Sequence, residues 1–320
     1  MKKLFFLAAA AVAMASCSNT EDLTPANVAA TPTPVKFSTY LSTRAVTETD
    51  LAAVQTTGFY VYATNGDKVL MNNVPVIYDS NESKWNINDN LSYYWPADDT
   101  TVDFCAVCNP ASPAGSTDDG PFGEGGTLTV TCNGDNQNDI VAAFAAGQSV
   151  KSNNGYVNLT FQHLLSQLTI ALKAESDDYS YEITKICARG CGDDADCTFS
   201  ANGILLSPNS TTLGSLIDYP TGYATTDGMT SDDGENVDAE TYLFLPGSAY
   251  IYIYYKVYNE NNVLVDDFST EGTCKQVEIN LSQGKRTNLE ITIGYNAPVR
   301  FTADLDSWVD DENQSQTVTN

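Results

Sequence analysis

The chain has 320 residues, 41 of them acidic and 15 basic, for a formal charge of −26. A field of that sign repels nucleic acid and anionic membrane surfaces. Charged residues make up only 18% of the chain against 42% hydrophobic, with 18 Tyr, so the balance is that of a folded protein and not of a disordered acidic tail.

In chain order, Lys2 and Lys3 precede an uninterrupted apolar run from Leu4 to Ala15, and small Ala15 and Ser16 stand before Cys17. This reads as a signal peptide over residues 1–16, too short in its apolar part for the roughly 20 residues of a membrane span. Cys17 directly after Met14-Ala15-Ser16 has the lipobox arrangement, which predicts lipidation of its thiol and a lipid anchor in a membrane. Residues 17–34 are rich in Thr, Ala, Pro and Asn and read as a flexible tether. Val35 to Leu41 then alternates, with Val35, Phe37 and Leu41 on one face, which predicts a first β-strand. Arg44 follows at once, the first arginine of the chain, so a trypsin-like protease meets an early site at Arg44-Ala45.

Short strands separated by turn signals are expected at 58–63, 93–95, 102–107, 127–131 and 140–145, with a solvated loop at 109–126. From Val157 to Leu165 the apolar phase includes His163, and it shifts at Leu168, which suggests a bulge or a strand passing between environments. The clearest strand is 249–258, with Ala249, Ile251, Ile253, Tyr255 and Val257 on one face and Tyr250, Tyr252, Tyr254 and Tyr258 on the other. Strands at 277–281, 288–295 and 299–305 follow. So many short alternating strands predict an all-β chain of antiparallel sandwiches. A polar stretch at 147–154 suggests an N-terminal domain at 35–150 and a C-terminal one at 151–320, a length ample for two cores.

Little in the pattern points to chemistry. The single histidine, His163, is in phase with apolar neighbours and reads as a core residue bonded to backbone, not as a catalytic base or metal ligand. No nucleophile elbow or phosphate-binding glycine loop is present, so no catalytic residue, metal or cofactor is assigned, and the chain is not read as an enzyme. Seven cysteines remain after Cys17, an odd number, which points to structural disulfides or buried thiols. Cys105 and Cys108, three apart on one strand, must face opposite sides of it. Acidic loops around Asp193, Asp232 and Asp310 lack EF-hand spacing and read as solvated loops. The Tyr face of 249–258 is a candidate platform for a host glycan or protein, or else the half-exposed face of an edge strand.

Taken in order, several segments resemble the fimbrillin family of Bacteroidales type V pilus subunits and fimbrillin-like lipoproteins. They are the lipobox, the strand that runs into Thr43-Arg44-Ala45, Trp85 with Tyr93-Tyr94-Trp95-Pro96, Asp103-Phe104, Asn138-Asp139, the run Val157 to Leu168 and the closing stretch Phe301 to Trp308. Cys105 and Cys108 depart from the family's usual aromatic or aliphatic residues there. The acidic pair Glu21-Asp22 behind Cys17 resembles the tag that sends lipoproteins to the outer face of Bacteroidales cells. The resemblance implies two tandem transthyretin-like β-sandwich domains and a place in a fimbrium at the cell surface. It also implies assembly by donor-strand exchange: an Arg-specific protease cuts at Arg44-Ala45, the plug strand with Val35, Phe37 and Leu41 leaves, and a strand of another pilus subunit fills the groove. The polar tail Val309–Asn320 suits that apolar groove poorly, so a tip, accessory or anchor role is an alternative, as is a non-polymerising surface lipoprotein that binds through the Tyr face.

Overall fold

The computed structural model describes residues 32–41, 51–88, 91–96, 100–108, 128–151, 155–200, 202–210, 212–307 and 314–318. The first half holds β1 (Lys36–Leu41), one short helix α1 (Leu51–Thr57), β2 (Phe59–Asn65), β3 (Lys68–Asp79), β4 (Lys84–Ile87), β5 (Val102–Cys108), β6 (Leu128–Thr131), β7 (Val141–Gln148) and β8 (Tyr156–His163). The second half continues with β9 (Ser166–Ala174), β10 (Ser180–Arg189), β11 (Asp194–Ser200), β12 (Gly203–Pro208), β13 (Ile217–Tyr219), β14 (Gly222–Thr225), β15 (Gly228–Thr230) and β16 (Thr241–Phe244). It closes with β17 (Gly247–Tyr258), β18 (Leu264–Asp267), β19 (Lys275–Leu281), β20 (Lys285–Ile293), β21 (Arg300–Ser307) and β22 (Gln314–Val318). The chain is all-β, as the alternation predicts. Among the described residues no helix is long and apolar enough to cross a membrane.

Alternation decides which face each strand buries. In β8 and β17 every second side chain is buried, so each has one core face and one outer face. In β2 and β5 nearly every residue is buried, because both faces of these central strands are covered, and their sequences read as continuous small and apolar runs. Between α1 and β2, Gly58 adopts φ +78° and a Cβ there would lie 2.6 Å from the Val76 carbonyl oxygen, so only glycine fits.

The first sheet runs β1-β8-β7-β5-β2-β3-β4, with β1 and β4 at its two ends. Its pairs are antiparallel except β1 with β8, which is parallel, with Phe37 beside Val157 and Leu41 beside Phe161. A three-stranded sheet, β12-β11-β6, joins a strand of the first half to two of the second. In the second half, β15-β14-β10-β17-β18, with β13 beside β10 and β19 beside β17, faces a sheet of order β16-β9-β20-β21-β22. The pair β9 and β20 is also parallel. Two parallel pairs thus stand in a fold expected to be antiparallel, because each pair joins strands far apart in sequence, where no hairpin dictates direction.

Three cores follow from this layering. One side of the first sheet buries Val35, Phe37, Phe59, Phe104, Leu159 and Phe161. Its other side packs, through Tyr62, Cys105 and Val107, against Leu128, Val130, Cys197 and Leu206 of the three-stranded sheet. The third core lies between the two sheets of the second half, around Leu168, Ile170, Ile251, Tyr255 and Ile291. The domain boundary expected at 150/151 falls between β7 and β8, neighbours in the first sheet, and the chain leaves that sheet at Leu164–Leu165. That crossing is the phase shift seen in the sequence after Leu165.

Candidate functional site

The first strand combines two properties that seldom meet: it lies at a sheet edge, and its side chains enter the core. Val35 and Phe37 are buried, at 9% and 4% exposure. The Phe37 ring meets Phe59 and Phe104 edge-on, with centroids 6.0 and 6.1 Å away. Burial of such a ring is worth about 2–3 kcal/mol. Leu41 belongs to β1 and its backbone pairs with Phe161, while its side chain lies outside the described residues. Outward, Lys36, Ser38 and Tyr40 line the opposite face; the Ser38 hydroxyl donates to Asn158, and Lys36 Nζ stands 5.3 Å from the centre of the Tyr156 ring.

The entry of β1 is held from two sides. Val35 N–H donates to the Tyr93 carbonyl (2.9 Å), and Trp95 N–H donates to that of Thr33 (3.0 Å). Lys36 N–H and Trp95 Nε1–H both donate to the carbonyl of Gly155, at 3.1 and 3.0 Å. Gly155 has φ +84°, and a Cβ there would press on Thr33 at 3.1 Å, so glycine lets β1 lie close. Further along, Trp85 of β4 donates its indole N–H to the Thr39 hydroxyl (3.0 Å). These few bonds, the parallel ladder to β8 and two apolar side chains are what hold β1. Arg44 and Ala45 fall between β1 and α1, outside the described residues, and so does Cys17.

The second candidate, the Tyr face, lies in the middle of a sheet and not on an edge strand: β17 has β10 on one side and β18 and β19 on the other. Tyr250, Tyr252, Tyr254 and Tyr258 are half-exposed on its outer surface. The phenol of Tyr250 donates to Glu278 (3.0 Å) and that of Tyr258 to Glu182 (2.8 Å). Those carboxylate acceptors hold both phenols above their ordinary pKa, so they stay donors. Lys256 stands 4.0 Å from Glu182 and Lys185 3.5 Å from Asp218.

His163 is buried, as its phase implies, but its partner is a side chain: its Nδ1 lies 2.7 Å from Asp139 Oδ2. The carboxylate arrives from the segment before β7, which the Asn138-Asp139 pair alone could not reveal. Among the described residues seven thiols are free, and those of Cys105, Cys108, Cys132, Cys187 and Cys197 are buried. Cys105 and Cys108 face different cores, as their spacing requires. Burial first, and then the nearby Asp139 charge, pushes the Cys108 thiol up to about 12, and burial does the same for Cys197. Such thiols carry no nucleophilic thiolate at neutral pH. Among the described residues no group of three or more His, Cys, Asp or Glu side chains is placed to hold a metal ion.

Comparison with known proteins gives the geometry a family. The fimbrillin-like family model matches residues 43–308. The chain belongs to the fimbrillin-like family. Among solved structures, this fimbrillin-like chain is similar to a fimbrial protein from Bacteroides vulgatus ATCC 8482, at 19% identity and a TM-score of 0.59, over 86% of this chain and 99% of that one. It is also similar to proposed cell adhesion proteins from Bacteroides uniformis ATCC 8492 (14% identity, TM-score 0.48, 87% and 98% covered) and Bacteroides ovatus ATCC 8483 (13% identity, TM-score 0.47, 88% and 100% covered). At these identities the likeness is one of fold. No curated protein matches the chain.

Proposed function

We propose that this fimbrillin-like chain is a subunit of a cell-surface fimbrium, exported as a lipoprotein through Cys17 to the outer membrane and assembled by donor-strand exchange. An Arg-specific protease cuts between Arg44 and Ala45, β1 departs with Val35, Phe37 and Leu41, and a strand of another pilus subunit takes its place. The observation that carries this reading is the position of β1: a terminal strand with one ladder partner whose side chains nonetheless plug a core. Its loss opens an apolar floor of Val157, Leu159 and Phe161 together with the free edge of β8, and both demand a replacement strand.

Limited digestion of the chain from Val35 onward with an Arg-specific protease, followed by mass analysis and native sizing, tests the reading. The wild type is expected to lose residues 35–44 and to form oligomers, whereas Arg44→Ala does neither. A chain that resists the protease, or stays monomeric after the cut, overturns it in favour of a non-polymerising adhesin. For that second reading the half-exposed Tyr face is the surface of choice, because Tyr250 and Tyr254 offer area with a polar tip at small entropic cost. Tyr250→Ala and Tyr254→Ala should then abolish binding to host glycans or proteins while leaving the fold intact.

A further inference from the structure

The two ends of the first sheet, β1 and β4, stand near one another, linked by the hydrogen bond from Trp85 to Thr39. Beside them opens a groove of about 370 Å³, toward the lower end of the roughly 300–1,000 Å³ of small-molecule sites. Its size suits a ligand of about one or two rings and not a protein surface. The chain has 41 acidic and 15 basic residues, yet among the described residues the lining of this groove holds two lysines, Lys36 and Lys84, and no carboxylate. Lys84 pairs with Glu82, which lies outside the lining. Lys36 has no carboxylate partner among the described residues, and its Nζ rests 5.3 Å from the centre of the Tyr156 ring. In a field as negative as this chain's, an ammonium without a counter-charge marks a place for an anion.

The remainder of the lining narrows the kind of anion. Tyr94 and Tyr156 are 51% and 42% exposed, and phenol rings left open at a groove combine flat apolar area with a polar tip. Such rings pack against the C–H face of a sugar. Asn86 and Ser92 add an amide and a hydroxyl of the kind that pairs with sugar hydroxyls. A bare anion would use the lysines and leave the rings idle, and an apolar ligand would leave Lys36 without a counter-charge. We infer that this groove binds a short saccharide ending in a carboxylated sugar, its carboxylate on Lys36 and its ring against Tyr94 and Tyr156, with Lys84 adding charge at the rim. Lys36 belongs to β1, so the site exists only in a chain that keeps that strand, and it is separate from the Tyr face of β17.

The test uses the mature chain with Arg44→Ala, which keeps β1, so its outcome does not depend on strand exchange. Titration with 3′-sialyllactose, followed by saturation-transfer NMR, is expected to show saturable binding at least tenfold tighter than that of lactose or of the sialyllactose methyl ester. These comparisons need no altered protein. Lys36→Gln should weaken binding about tenfold, the loss of one hydrogen-bonded charge, and Tyr94→Ala should weaken it as well. Both side chains are exposed, and circular dichroism checks that each variant stays folded. Added salt should weaken binding too, as it does for exposed charges. Absent binding, equal binding of the methyl ester, or indifference to both Lys36→Gln and Tyr94→Ala overturns the inference. Inorganic phosphate that displaces the saccharide at equal concentration also overturns it, since charge alone would then suffice. If Tyr250→Ala with Tyr254→Ala abolishes binding while Lys36→Gln does not, the ligand sits on the Tyr face and the inference falls.

Discussion

At the scale of single residues, Phe37 is where the fold and the proposed assembly meet. Its buried ring packs edge-on against Phe59 and Phe104, so Phe37→Ala should destabilise the uncut chain by about 3–5 kcal/mol. Urea unfolding of the Arg44→Ala background measures this. After cleavage and exchange the same substitution should leave the polymer as stable as the wild type, because the altered strand is gone. The buried thiols make a second residue-scale prediction. In the folded chain Cys108, Cys132 and Cys197 ionise only near 12, against an ordinary value of 9.0. The unfolded chain therefore releases these protons first, and alkali favours unfolding. Their contribution is complete below pH 9 and is lost as pH rises toward 12. Thermal melts from pH 7 to 11 should show a falling midpoint, and Cys108→Ala with Cys132→Ala should flatten that fall.

At the scale of elements, the proposed assembly makes β1 a ligand of the remainder of the molecule. A chain that begins at Ala45 is expected to expose the floor of the groove, bind an apolar dye and melt at a lower temperature. A synthetic peptide of residues 33–41 should restore the melting temperature, and the same peptide with Phe37→Ala should not. Dye binding that is absent in the shortened chain would mean that the groove closes by itself and needs no donor. Much at this scale was legible in the sequence. The alternation in Val35 to Leu41, Val157 to His163 and Ala249 to Tyr258 marks strands with one buried face, and all three are present. Less legible were β13 to β16, strands of three or four residues between 217 and 244, too short for a period-two alternation to register. The parallel partner of β1 was hidden for a different reason. Lys36 and Tyr156 pair although they stand 120 positions apart, and nothing local selects that neighbour or its direction. For the same reason the Tyr face could be drawn from sequence, while its central place in the sheet could not.

At the scale of the whole molecule, the two halves are less separate than their polar connection at 147–154 suggests. β8 returns to the first sheet after that connection, and β6 of the first half pairs with β11 of the second, from Leu128 beside Cys197 to Thr131 beside Asp194. The Gln137 amide adds to this, since it accepts from Leu243 N–H (2.6 Å) and donates to the Leu243 carbonyl (3.2 Å), much as a strand would. Gln283 does the same for the edge of β12 at Leu206 and Ile204. Backbone ladders and a shared apolar core make poor hinges, because bending there must break several hydrogen bonds at once and wet Leu128, Val130 and Leu165. A filament of such links, under the drag of flowing liquid, would keep each link stiff and gather its compliance at the joints between them, so that its persistence length is set by how a strand of one copy sits in the next.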